Sequence, residues 1–307
     1  MNAVLLLAFG GPTQPEDIRP FLANVLRGRS VPPERVEEVA HHYEVVGGRS
    51  PLNDVAFRQA ESLHEQLARD GMLLPVYVGM RNWTPYILDT LREMTAGGMR
   101  RAVGIVLAPH RSEASWERYA AAVDSARAAI GPTAPAVQYP GPWHAHPLFI
   151  EAAASCIEDR RAAVPEDRRA AAHILFTAHS IPVSMADVSG YAGQVEETAR
   201  LISERLCHRS WSVAYQSRSG NPGDAWLEPD VCTALRTLAS DGTVDVVVAP
   251  IGFVCEQVEL TYDLDVEARA VASQLGLTFA RARAVNDHPA FIRLLAELVR
   301  AAAGGAS

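Results

Sequence analysis

The chain contains no lysine: all 28 basic residues among its 307 are arginine. Schiff-base catalysis, pyridoxal phosphate attachment and the P-loop lysine are therefore excluded, because each needs an ammonium nitrogen that titrates or acts as a point charge. Kinases and most simple nucleotide hydrolases are disfavoured with them. Cysteine is also scarce. The four present, Cys156, Cys207, Cys232 and Cys255, form no C-x-x-C pair, so zinc-finger and dithiol redox readings drop out and a reducing compartment fits. No apolar run is long enough to span a bilayer. The opening stretch from Ala3 to Phe9 lacks both a basic residue before it and a small-residue cleavage site after it, and reads as a buried strand rather than a signal peptide. A cytoplasmic location is the expectation. A basic surplus is missing too: 36 acidic residues against 28 basic give a formal charge of -8, which argues against a nucleic-acid partner. An anionic ligand would need a local arginine patch.

What is present is ample core material. With 48% hydrophobic and 21% charged residues, the chain can fill one large or two medium domains without a disulfide or metal staple. Short Val/Ile/Leu-rich runs recur near Val4 to Ala8, Val76 to Val78, Ala102 to Ala108, His173 to Thr177, Ser212 to Tyr215 and Val244 to Pro250. Longer amphipathic stretches come after them, as from Pro85 to Met94 and from Ser115 to Ile130. Alternating strands and helices predict an α/β protein with parallel sheets covered on both faces. A faint repeat pairs Leu5 to Phe9 with Ile174 to Ala178, and Val103 to Pro109 with Val244 to Pro250. It predicts two related domains, divided near Tyr139-Pro140-Gly141-Pro142: residues 1–142 and 143–307, with the last helix free to pack back on the first domain.

Ligands of open α/β sheets bind beyond the carboxyl ends of strands, and four segments stand there. Phe176 to Pro182 delivers His179 to a strand end; its imidazole could bind a metal or accept a proton, or simply cap a helix or sit satisfied in the core. After the strand ending at Pro250, Glu256, Glu259, Asp263 and Glu267 fall at spacings of three, four and four. A helix would align them on one face, either as a solvated acidic surface or as a path for protons and a divalent cation. Arg27, Arg29, Arg49 and Ser50 lie in Gly-punctuated segments; guanidinium forks suit carboxylates, although each could be an ordinary surface arginine. The loop from Gln216 to Pro229 lacks both the Walker lysine and G-x-G-x-x-G spacing and reads as a pocket wall or structural turn.

In this order, Leu5 to Pro12, Thr177-Ala178-His179-Ser180-Ile181-Pro182, Tyr215 to Gly220 with Trp226 to Asp230, the acidic helix from Glu259, and Asn286-Asp287-His288-Pro289 closely resemble the ferrochelatase family. The likeness is greatest to its actinobacterial and Gram-positive-type members, which act on coproporphyrin III. The resemblance implies two Rossmann-like, chelatase-type domains with an inter-domain cleft. It implies metal-binding and catalytic roles for His179 and Glu259, porphyrin contacts at Ser50 and Tyr119, and Phe9 where some relatives have tyrosine. Asp263 is expected to relay charge away from Glu259, and Arg27, Arg29 and Arg49 to meet propionates.

The chain departs from the family in carrying Glu256-Gln257 where Asp-His is common and Asn82 where some members have histidine. No cysteine follows Cys255, so the two-iron cluster of many actinobacterial relatives is not expected. The resulting expectation is ferrous iron insertion into coproporphyrin III, giving iron coproporphyrin III in haem biosynthesis, with iron as substrate and no resident cofactor. A monomer is expected, with transient contact to the next haem-pathway enzyme. The alternatives are a chelatase for another divalent metal or for protoporphyrin, and a paralogue that binds porphyrin or haem without turnover.

Overall fold

The computed structural model describes residues 1–28, 31–219 and 223–304. Among them are eight strands: β1 (Ala3–Ala8), β2 (Val76–Met80), β3 (Arg101–Val106), β4 (Ala136–Gln138), β5 (His173–His179), β6 (Trp211–Gln216), β7 (Asp245–Ala249) and β8 (Thr278–Arg281). They form two four-stranded sheets, β2-β1-β3-β4 and β6-β5-β7-β8, in which every pairing is parallel. All residues of β1 and β7 are buried. Near-continuous apolar strands of this kind need cover on both faces, which the helices between strands supply.

The sequence repeat becomes positional. Strands β1 and β5 each take second place in their sheets and β3 and β7 third, so the two sheets share one winding. The edge strands β4 and β8 escape the apolar-run reading. β4 has only three residues, none of them buried, and β8 has one buried residue; an edge strand with a wet face carries little hydrophobic signal.

The chain divides into two compact units, Met1–Leu107 with Ser115–Gly141 and Asn286–Ser307, and Ala108–Ala114 with Pro142–Val285. A single cut at 142/143 would miss two exchanges between them. The segment Ala108–Ala114 belongs to the second unit, where the Arg111 N–H donates to Gln194 Oε1 at 2.8 Å and His110 Nε2 lies 3.0 Å from Thr198 Oγ1. The final helix, Pro289–Gly304, packs in the first unit on the helix Leu52–Arg69. Its apolar side chains Phe291, Leu294, Leu295 and Val299 are fully buried, and Gln59 Nε2 donates to the Asn286 carbonyl at 2.8 Å.

In a sheet wound in this order, consecutive connections leave the first strand in opposite directions, so the switch point lies between β1 and β3, and between β5 and β7. In the second unit His179 closes β5, and the turn after β7 is drawn against that strand end. The Gly252 N–H donates to the Thr177 carbonyl at 3.0 Å, and a Cβ on Gly252 would lie 2.6 Å from Ala178 Cα. Only glycine permits that approach. Among the described residues no helix is long and apolar enough to cross a membrane.

Candidate metal-insertion site

His179 is positioned from three sides. Its Nδ1 lies 2.6 Å from the Ser180 carbonyl, and since a carbonyl only accepts, Nδ1 carries a proton. Nε2 is left to face Glu259 Oε1 at 3.6 Å, an ion-pair separation longer than a hydrogen bond. The hydroxyl of the buried Tyr191 donates to the His179 carbonyl at 3.1 Å. Burial pulls the His179 pKa down, but the Glu259 carboxylate, the Ser180 carbonyl and Asp263 outweigh it, and the net direction is upward.

Glu259 stands in the first turn of the helix Val258–Tyr262, which widens into a π-helix over Asp263–Ala268. The expected four-carboxylate column is corrected here. Glu256 precedes the helix, and its two oxygens take Arg281 Nη1 at 2.7 and 2.9 Å and the Ala284 N–H at 2.8 Å. An i, i+3 count presumed a helix starting at Glu256, whereas Gln257 is extended and forms the N-cap. Wide turns of this sort occur mostly as short bulges within α-helices, frequently at functional sites.

Asp263 is tied to the end of β6. Its Oδ2 accepts from Ser217 Oγ and lies 3.5 Å from Gln216 Nε2. Gln216 in turn donates to the Glu259 carbonyl at 2.9 Å and accepts from Thr177 Oγ1 at 2.9 Å. Ser217 holds a left-handed backbone, φ 62°, a conformation costly for a non-glycine residue and found where a side chain must be aimed. Sequence reasoning placed Gln216 and Ser217 in a pocket wall or structural turn and missed their tie to Asp263. The signal was available in their place at the end of β6, the strand paired with β5, where Gln216 lies in register with His179.

Burial pushes the Asp263 carboxyl up, the Ser217 hydroxyl opposes it, and the charges of Glu259 and Glu267 add to the rise, bringing the pKa to about 7. The stability from holding this proton is fully present below the unfolded value of 3.8 and is lost as pH rises through 7. Asp263→Asn removes that dependence. Relative to wild type it is expected to gain about 2–3 kcal/mol between pH 5 and pH 8, read from denaturant unfolding at the two values; a gap that does not change with pH would contradict the raised carboxyl.

In the first unit, Phe9 and Tyr119 share one cation. The Arg81 guanidinium lies 5.1 Å from each ring centroid, within cation–π range. Arg81 follows β2 directly and was not among the residues singled out by sequence. Asn82 donates from its side chain to the Phe9 carbonyl at 3.2 Å. Ser50 is buried against Gly11 and accepts from the Leu52 N–H at 3.3 Å. Arg49 is exposed and pairs with Asp54, and the exposed Arg27 donates to Asn24 Oδ1 at 2.7 Å. Arg29 lies outside the described residues.

Two solved structures share this architecture. SirB from Bacillus subtilis with Fe3+ superposes with a TM-score of 0.59 at 13% identity, covering 99% of this chain and 98% of that one. The sirohydrochlorin chelatase SirB from Bacillus subtilis subspecies spizizenii in complex with cobalt gives 0.55 at 11% identity, with 100% and 97% covered. The fold is the two-domain chelatase fold.

Sequence comparison narrows the class. The profile of the ferrochelatase family matches residues 1–303, and the chain belongs to that family. It is 46% identical over 301 residues to the coproporphyrin III ferrochelatase of Mycobacterium avium (strain 104), covering 97% of this chain and 87% of the relative. To the enzyme of the same name from Streptomyces griseus it is 42% identical over 316 residues, covering 97% and 84%.

Proposed function

We propose that this chain inserts ferrous iron into coproporphyrin III, giving iron coproporphyrin III and two protons in haem biosynthesis. The observation that carries the reading is a near full-length match to coproporphyrin III ferrochelatases in a chain whose His179 Nε2 faces Glu259 Oε1 at a strand end. A free porphyrin holds two pyrrole protons in a flat ring, so metalation requires a bent ring and a base. His179, through the one free lone pair at Nε2, meets the metal or takes up a ring proton, with Glu259 as the second donor; an imidazole and a carboxylate suit ferrous iron. Asp263, with its pKa brought near 7, is matched to receive and release a proton at neutral pH. Iron is a substrate here, not a resident group, and no iron–sulfur cluster is part of the proposal.

Phe9, Ser50 and Tyr119 are the proposed macrocycle contacts, and Arg27, Arg29 and Arg49 the proposed propionate partners. Arg81 joins them, because its guanidinium lies against the rings of the proposed contacts Phe9 and Tyr119 and guanidinium forks suit carboxylates. Binding energy collected from the propionates, remote from the reacting nitrogens, is what holds the ring bent. We place the protein in the cytoplasm as a monomer that passes its product to the next haem-pathway enzyme by transient contact.

The test is an anaerobic assay of the purified chain with coproporphyrin III and ferrous iron, monitored through the product's visible absorbance. Insertion is expected, with kcat/KM for the four-propionate substrate at least about tenfold above that for two-propionate protoporphyrin. Porphyrin binding without metalation would mark a carrier, and a preference for protoporphyrin would overturn the substrate assignment.

A further inference from the structure

Glu259 is held by a neighbour that the proposed reaction does not use. Gln257 Nε2 donates to Glu259 Oε2 at 2.8 Å, while the other oxygen, Oε1, faces His179 Nε2. Gln257 itself is fixed on both sides. Before it, the Glu256 carboxylate is fastened to Arg281 and to the Ala284 N–H. After it, the Gln257 carbonyl accepts the Leu260 and Thr261 N–H groups at 3.0 and 3.1 Å. A side-chain amide on an anchored backbone thus meets one oxygen of a carboxylate whose other oxygen points to the imidazole.

A glutamate side chain has three rotatable bonds, and ordering such a chain costs free energy comparable to a good hydrogen bond. A fixed donor meets that cost before the metal arrives, which is how positioned groups accelerate a step. The donor's neutrality matters as much. An arginine or lysine in this place would cancel the carboxylate charge that attracts a divalent cation, whereas an amide orients the carboxylate and leaves its charge in place.

We infer that Gln257 is a positioning residue for metal insertion, holding Glu259 Oε2 so that Oε1 stays turned toward His179. The inference rests on the function proposed above. Two variants test it in the full chain with ferrous iron and coproporphyrin III: Gln257→Met, close in size and without a donor, and Gln257→Glu, equal in length and without a donor when ionised. Each is expected to lower kcat about tenfold with KM for the porphyrin within about twofold and an unchanged melting temperature. A fall in kcat of less than threefold in either folded variant overturns the inference. A raised KM with kcat retained overturns it too, since Gln257 would then be binding substrate directly. Should the wild-type protein fail to insert iron, the functional reading fails instead, and the two failures are distinguishable in one experiment.

Discussion

Replacing His179 with alanine is expected to abolish iron insertion, lowering kcat by about a thousandfold or more, within the range that a lost metal ligand and general base commands. Porphyrin affinity, measured by fluorescence quenching, should stay within about tenfold, because the imidazole faces Glu259 at the end of β5 and is assigned chemistry rather than anchoring. Glu259→Gln should approach the same loss. Asp263→Asn should cost much less, because Asp263 lies a helical turn further from the strand end and is bound to Ser217 and Gln216. If Asp263 only carries onward the protons that Glu259 delivers, the double variant loses less than the product of the single losses. Near-normal turnover in His179→Ala would remove the centre of the assignment.

The second large effect falls on stability. Arg281 ties Glu256 and Asp265 together with its side chain only 11% exposed, against 17% and 29% for the two acids. Arg281→Met leaves Glu256 without its cation in a poorly solvated place, so a loss of about 3 kcal/mol is expected. Asp265 is less affected, since Arg269 Nη2 remains 2.9 Å away. For that reason Arg281→Met combined with Glu256→Gln should recover much of the loss: the neutral amide keeps an acceptor for the Ala284 N–H, whereas a single buried charge is expensive. Denaturant midpoints of the three proteins provide the check. A single-variant loss below about 1 kcal/mol would show that water already solvates the site.

The same network explains why the acidic spacing misled at one position. Glu256, Glu259, Asp263 and Glu267 are spaced for one helical face, but whether Glu256 enters the helix depends on where the helix begins. That is decided by Arg281 in β8, 25 residues away, which captures the Glu256 carboxylate. Neither the π-turn over Asp263–Ala268 nor the left-handed Ser217 has a local signature in residues that ordinarily favour α-helix or extended chain. Both are held by contacts between elements, where tertiary packing overrides local propensity.

Sequence by itself determined the features that depend on composition and local period. The absence of lysine removed whole classes of chemistry, apolar runs located the central strands β1, β3, β5 and β7, the repeat indicated two units of one winding, and the turn Thr177 to Pro182 placed His179 at a strand end. These are legible because burial on both faces of a parallel sheet imposes an unbroken apolar pattern, and the turn residues after a strand mark its end. Only the tertiary structure decided that Ala108–Ala114 belongs with the second unit, that Arg81 rests on Phe9 and Tyr119, and that Gln257 rather than Glu256 attends Glu259. Each of these is a contact between residues whose one-dimensional surroundings are ordinary. Their partners are chosen by how the elements pack, and a hydrogen bond or cation–π contact acts over a few ångströms of space regardless of the length of chain between its ends.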